Sequence, residues 1–291
     1  MHGAAGAVEL VPIISIITPV YDGGHQYLGD AYISVKNQAL PHGWSWEWIV
    51  QEDGRTSRPT AALPNDPRVR VGTGTRGGAG VARTLGLARA RGDLVRALDA
   101  DDLLMEGALA RDIQVFRDFP GISWCVSSCL DLLPDGALVP GPYDPPAGAL
   151  SFQQLREQFE ADRFPVVGTH LTVRTGLVRA LGGWPALPAL EAMALVLACA
   201  AVAPGRMISE PGGIYRKHPA QTTAQPHYRD DGEFITLRAA LLSRMDSLQA
   251  SGWRWVPAAG EPAASGLDGS EAALLKGLSS RGVGVGNCSE R

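Results

Sequence analysis

Residues 75–104 read TRGGAGVARTLGLARARGDLVRALDADDLL. A glycine turn, a helix, a short apolar strand and an acidic cluster follow one another here without interruption. Leu94 to Leu98, LVRAL, has the length and composition of a strand buried in a sheet. Asp99, Ala100, Asp101 and Asp102 stand at its carboxyl end. In open α/β sheets, ligands bind outside the carboxyl ends of the strands. Carboxylates packed this closely repel one another, which calls for a cation or a set of donors among them. An Asp-x-Asp turn suits a hard divalent ion such as Mg²⁺ or Mn²⁺, held by one or two carboxylates together with substrate phosphates. The simpler alternative is a solvated turn in which Asp102 caps the following helix.

On the N-terminal side, the glycine-rich loop 72–80 opens a helix over 81–91 that displays Arg83, and backbone amides at such a helix start attract anions. The glycine spacing is not that of a dinucleotide-binding turn. Ile13 to Thr18 is apolar on both faces, as a central parallel strand is. Pro19 is expected to end it, and the polar turn Tyr21 to Gly24 follows. A helix over 27–38 leads to a second strand, 44–50, which ends in Glu52, Asp53 and Gly54. A short third strand is expected at 69–71.

Beyond the acidic cluster, the pattern predicts a helix over 106–119, a strand over 121–130, a long Pro/Gly-rich loop over 131–150 and a helix over 151–162 with Ser151 as its cap. An extended stretch, 164–173, contains His170. A tight Gly182-Gly183-Trp184 turn offers an aromatic face that suits either sugar stacking or the core. Tyr215, Arg216, Lys217 and His218 form a basic patch fit to clamp a diphosphate, and a helix over 233–250 ends near Trp253 and Trp255. Alternating strands and helices predict an α/β fold with a mostly parallel central sheet flanked by helices.

Composition sets the limits. A chain of 291 residues with 45% hydrophobic and 19% charged content buries a substantial core in one domain. A net charge of −4 gives no broad basic surface for nucleic acid. Cys125, Cys129, Cys199 and Cys288 lack metal or disulfide spacing and read as reduced structural thiols. With no signal-like start and no apolar run long enough to span a bilayer, a cytoplasmic protein is expected. Residues 1–9 read as a mobile arm and 258–291 as a low-complexity tail.

The ordered set SIITPVYDG (15–23), WIVQEDGRTS (48–57), GGAGVARTLGLARARGD (77–93), LDADD (98–102), GGW (182–184) and YRKHPAQTT (215–223) resembles the inverting glycosyltransferases of GT-A fold known as family 2. The resemblance spans most of residues 12–223 and is strongest in the first hundred. It implies a single domain over 10–257, with a nucleotide-sugar half (10–104) and an acceptor half (105–257). The implied partners are a nucleoside-diphosphate sugar, with a UDP-sugar foremost, and a small-molecule or glycan acceptor. The implied nucleotide contacts are Pro19, Tyr21, Asp53, Gly78, Arg83, Asp99 and Ala100. Asp101 with His218 is the implied metal pair, and Arg216, Lys217, Trp184 and His170 fall on the diphosphate and acceptor side.

The chain departs from the family at one place. Relatives carry Glu-Asp at a helix start after the Gly-Gly-aromatic turn, and the Asp takes the acceptor proton. Here the segment reads LPALEAMALVLACA, with Glu191 in the Glu place and Ala192 in the Asp place. Three readings stay open: Glu191 is the base, Asp144 on the 131–150 stretch is the base, or the protein binds a sugar nucleotide without catalysis. Glu191 is favoured, because a carboxylate opening an apolar helix is shielded from water, which raises its proton affinity. A sugar nucleotidyltransferase is a further alternative. It would carry a glycine-rich basic loop after its first strand, where this chain has TPVYDGG.

Overall fold

The computed structural model describes residues 11–141, 144–225 and 231–257. The expected arm, the expected tail and Cys288 lie outside the described residues. The first half supplies strands β1 (Ile13–Val20), β2 (Ser45–Glu52), β3 (Val69–Gly72), β4 (Leu94–Ala97) and β5 (Leu103–Leu104), with helices α1 (Leu28–Lys36), α2 (Ala79–Leu87) and α3 (Ala108–Asp118). The second half adds β6 (Trp124–Leu132), β7 (Leu138–Pro140), β8 (Gly148–Leu150), α4 (Phe152–Glu160), β9 (Leu171–Arg174) and α5 (Thr175–Ala180). It closes with α6 (Glu191–Val202), β10 (Gly205–Arg216) and α7 (Asp231–Ala250).

All strands join one sheet in the order β3-β2-β1-β4-β9-β6-β10-β5, with β7 paired to β6 and β8 to β10. The parallel arrangement expected from the sequence holds from β3 to β4. Beyond that the sheet is mixed: β9 lies antiparallel between β4 and β6, and β10 runs parallel to β6 but antiparallel to β5 and β8. Strand and helix alternation does not encode strand order, and β9 joins the sheet out of sequence order. The 131–150 stretch is likewise not one loop, since β7 folds back on β6 as a hairpin and β8 pairs with β10.

Side chains leave a strand alternately to either face, and the two cores follow that period. Ile17, Ile49, Val95 and Ala97 point to the face covered by α2, α4, α5, α6 and α7. Ile14, Ile16, Trp48, Val50 and Leu94 point to the face covered by α1 and α3. Pro19 does not end β1, for it pairs with Gln51 on β2. The ladder with β4 has stopped at Ile17–Ala97 by then, so no partner on that side requires the N–H that proline lacks. At the far end, Trp255 donates its backbone N–H to Val202 at 3.0 Å and packs on the core, whereas Trp253 is 37% exposed. Of the two expected anchors, Trp255 is the one that packs.

The apolar run LVRAL hides a charge. Arg96 is fully buried, pairs with Asp112 of α3 at 3.2 Å and donates to the His170 carbonyl at 2.6 Å. The Thr172 hydroxyl also donates to Asp112, at 2.6 Å. This network ties α3 and β9 to the strand that carries the acidic cluster. Removing one partner of a buried pair leaves an uncompensated charge, so Asp112→Ala is expected to destabilise the fold by about 3–5 kcal/mol. Urea denaturation measures it, and a loss below about 1 kcal/mol would mean that the neutral acceptors around Arg96 suffice.

Candidate active site

The centre of the site is the turn after β4. One oxygen from each of Asp99, Asp101 and Asp102 falls within 4.8 Å of the others. Burial, reinforced by repulsion from Asp99, raises the proton affinity of Asp101 and raises that of Asp102 further. Three devices oppose the repulsion. The Arg83 guanidinium, buried on α2, pairs with Asp99. The Arg216 backbone N–H donates to Asp102 Oδ1 at 3.0 Å. The His218 ring contacts Asp101 Oδ2 through Nε2 at 2.9 Å. Asp102 Oδ2 is buried with no hydrogen-bond partner among the described residues. A buried, unpaired carboxylate oxygen beside two other carboxylates is a donor set that fits a hard divalent cation. Asp102 thus belongs to the cluster rather than to a solvated cap.

Arg83 also bonds Glu191 Oε1 at 2.7 Å. Burial works against its charge, but Asp99 and Glu191 outweigh burial and hold the guanidinium firmly protonated. Two glycines permit this bridge between helices. A Cβ on Gly80 would collide with the Pro185 carbonyl and crowd Glu191, and one on Gly183, at φ +83°, would strike Thr84. Leu190 lies in the left-handed region at φ +65° and turns the chain into α6. A bulky residue there costs about 1–2 kcal/mol. The shielded, apolar setting expected for Glu191 is therefore replaced by an ion pair.

Next to this centre opens a cavity of about 410 Å³, within the usual size of small-molecule sites. Arg83, Asp99, Glu191 and Ala192 line one part, and Cys129, Asp131, Asp144, Tyr215 and Lys217 another. The segment 163–169 and Phe159 of α4 contribute much of the apolar wall. Lys217 reaches Asp131 at 3.2 Å. Burial, helped by Asp144 and Asp131, pushes the Cys129 thiol up to about 12, so it stays protonated.

The remaining predicted residues divide. Pro19 and the 39% exposed Tyr21 stand at the end of β1. Asp53 accepts the backbone N–H groups of Gly77 at 2.6 Å and Gly78 at 3.1 Å, joining the end of β2 to the glycine loop. Glu52, the neighbouring acid, is buried and spends both oxygens on Thr56 and Ser57, which leaves Asp53 as the more accessible of the two. Ala100 is buried beneath the acidic turn.

Three expectations change. Trp184 is 2% exposed inside the core, so it presents no face to a sugar. His170 is fully buried against Gly213 and does not line the cavity. Arg216 bonds the Asp101 carbonyl at 2.9 Å, pairs with Asp30 and stacks on Tyr27, so it braces the acidic turn while Lys217 faces the cavity. The sequence placed the 131–150 and 164–173 stretches on the ligand side, but it singled out neither Asp131 nor the wall residues of 163–169, since no motif marks them and they meet the centre only through the second half of the sheet.

This fold and this acidic centre define a GT-A type α/β protein. Residues 15–127 match the family model described as Glycosyl transferase family 2. A putative teichuronic acid biosynthesis glycosyltransferase, TuaG, of Bacillus subtilis is 34% identical over 112 residues, which is 37% of this chain and 43% of that protein. An uncharacterized glycosyltransferase of Haemophilus influenzae is 34% identical over 108 residues, 35% of this chain and 42% of that protein. The chain thus spans less than half the length of these relatives. The structure of S. aureus TarS 1–349 in complex with UDP-GlcNAc superposes with a TM-score of 0.62 at 18% identity, over 82% of this chain and 70% of that one. No helix among the described residues is long and apolar enough to cross a membrane.

The burial of His170 carries a prediction. Burial first, and Arg96 second, lower its pKa from 6.5 to about 3. The unfolded chain therefore binds more protons than the folded one between those values. Stability is expected to be intact above pH 6.5 and to fall as pH drops toward 3, by up to about 1.4 kcal/mol per pH unit from this group. Urea midpoints measured from pH 7 to pH 4 should decline less steeply in His170→Leu than in the wild type, and equal slopes would remove His170 as the cause.

Proposed function

We propose that this protein transfers a glycosyl group from a nucleoside-diphosphate sugar, with a UDP-sugar as donor, to a small-molecule or glycan acceptor with inversion. The observation that carries the reading is the cluster of Asp99, Asp101 and Asp102 at the carboxyl end of β4, with an unpaired Asp102 oxygen and a ligand-sized cavity beside it. The family match and the likeness to TarS, whose structure holds UDP-GlcNAc, support the donor class. The division into a donor half, residues 10–104, and an acceptor half, residues 105–257, is part of the same reading.

In this reading Pro19, Tyr21, Asp53, Gly78 and Arg83 form the nucleotide side. Asp99, Asp101 and Asp102, with His218 braced on Asp101, would hold a Mg²⁺ or Mn²⁺ that offsets charge on the leaving diphosphate. The acceptor hydroxyl oxygen attacks the anomeric carbon as the bond from that carbon to the diphosphate oxygen breaks. The hydroxyl proton passes to a carboxylate of the cavity. Arg83 keeps Asp99 and Glu191 in place, and Lys217 supplies positive charge on the cavity wall. Ala192, standing where the family's acid is found, favours a second reading in which the protein binds the nucleotide without turnover.

Calorimetry with UDP tests the donor side. Binding is expected with Mn²⁺ present and is expected to collapse in EDTA. Asp53→Ala should weaken it by about 1.5–3 kcal/mol, the scale of a charge-assisted hydrogen bond. Equal affinity with and without metal would reject the ion site, and undiminished affinity in a folded Asp53→Ala protein would remove Asp53 from nucleotide recognition. Release of UDP from a UDP-sugar separates the enzyme from the binding module.

A further inference from the structure

Resting on the glycosyl-transfer reading above, we propose that Asp144 is the catalytic base that takes the proton from the acceptor hydroxyl. The cavity beside the acidic centre is lined by five carboxylates, Asp99, Asp131, Asp144, Asp162 and Glu191. Four of them are spoken for by cations. Asp99 and Glu191 share Arg83. Asp131 faces the Lys217 ammonium at 3.2 Å. Asp162, half exposed, has the Arg238 guanidinium at 3.8 Å. A carboxylate held by a neighbouring cation has its oxygens directed to that partner and is not free to turn to an acceptor hydroxyl.

Asp144 differs. Among the described residues it has no ion-pair partner. Its Oδ2 accepts one backbone N–H, that of Cys129 on β6, at 3.2 Å. That bond orients the carboxylate while leaving it able to accept a proton. Burial raises its proton affinity, the Cys129 N–H opposes the rise, and the negative charge of Asp131 adds to it. The titratable groups that line the cavity with it are Arg83 from α2, Asp99 after β4, Cys129 and Asp131 from β6, Asp162 and Arg163 after α4, Glu191 from α6, and Tyr215 and Lys217 from β10 and its end. Lys217 is turned to Asp131, and the Cys129 thiol stays protonated. A carboxylate with raised proton affinity and no cation is the group best able to act as base near neutral pH.

The step balances without a further reagent. A bond forms between the acceptor oxygen and the anomeric carbon, the bond to the diphosphate oxygen breaks with its electron pair, and the acceptor proton moves to the Asp144 carboxylate. Arg83 and Glu191 then serve to position Asp99, and the absence of an acid at Ala192 no longer leaves the chain without a base.

The test follows UDP release by the full chain with Mn²⁺ from UDP-GlcNAc, UDP-glucose and UDP-galactose, with water as acceptor, alongside UDP affinity by calorimetry. Asp144→Asn is expected to lower kcat by about 10²-fold or more, with UDP affinity within about twofold and the acid limb of the kcat–pH profile lost. Formate is expected to restore part of the turnover of Asp144→Ala, which a structural role would not allow. Near-normal kcat in Asp144→Asn, or a collapse confined to Glu191→Gln, would overturn the assignment while leaving glycosyl transfer standing. A wild-type protein that binds UDP yet releases none from any of the three donors would overturn both.

Discussion

Repulsion among three carboxylates at the end of one strand is the constraint around which this protein is arranged. Oxygens of Asp99, Asp101 and Asp102 lie within 4.8 Å of one another, and burial makes their shared charge costly. The compensation comes from distant parts of the chain. Arg83 arrives on α2, the Arg216 N–H at the end of β10, and His218 just after it. The acidic turn therefore depends on the second half of the fold as much as on the strand that carries it. One buried oxygen of Asp102 is still left unpaired, which is the reason a divalent cation suits the site.

Two buried arginines divide the work of holding that strand. Arg96 points to the face covered by α3 and pairs with Asp112, a structural network that also takes in β9. Arg83 approaches from α2 and couples Asp99 to Glu191, so that the start of α6 and the end of β4 are set by a single guanidinium. The close helix approach behind this coupling needs Gly80, where a side chain would meet the Pro185 carbonyl. Buried charges of this kind are retained only when paired, and each pairing here joins elements far apart in sequence.

The family match covers residues 15–127, and the superposition on TarS extends over 82% of the chain. The part beyond the family match is where the cavity takes its character. Segment 163–169, Cys129 and Asp131 of β6, Gly141, Asp144, residues 190–193 at the start of α6, and Tyr215 with Lys217 at the end of β10 build most of its wall. Most of the cavity wall thus lies outside the segment that the family model matches, and Ala192 lies outside it as well.

The sequence by itself determined the class of fold, the parallel first half, the acidic turn and its place at a strand end. These are local matters: strand and helix periods, turn chemistry and the adjacency of Asp99 to Asp102 are all written within short windows. Asp53 at the end of β2 and Ser151 as a helix cap were legible for the same reason. The roles of single side chains were not. Trp184 left sugar stacking and core packing equally open and lies in the core, His170 is buried away from the cavity, Arg216 looked like a phosphate clamp but braces the acidic turn, and Arg96 was hidden in an apolar run. Whether a polar group faces a cavity or a partner depends on which strand lies beside it, and the antiparallel insertion of β9 between β4 and β6 is not encoded in any local pattern. Only the tertiary structure decided that Glu191 meets Arg83 and that Asp144 meets no cation among the described residues, because those pairings are long-range Coulombic contacts between residues that the chain keeps far apart.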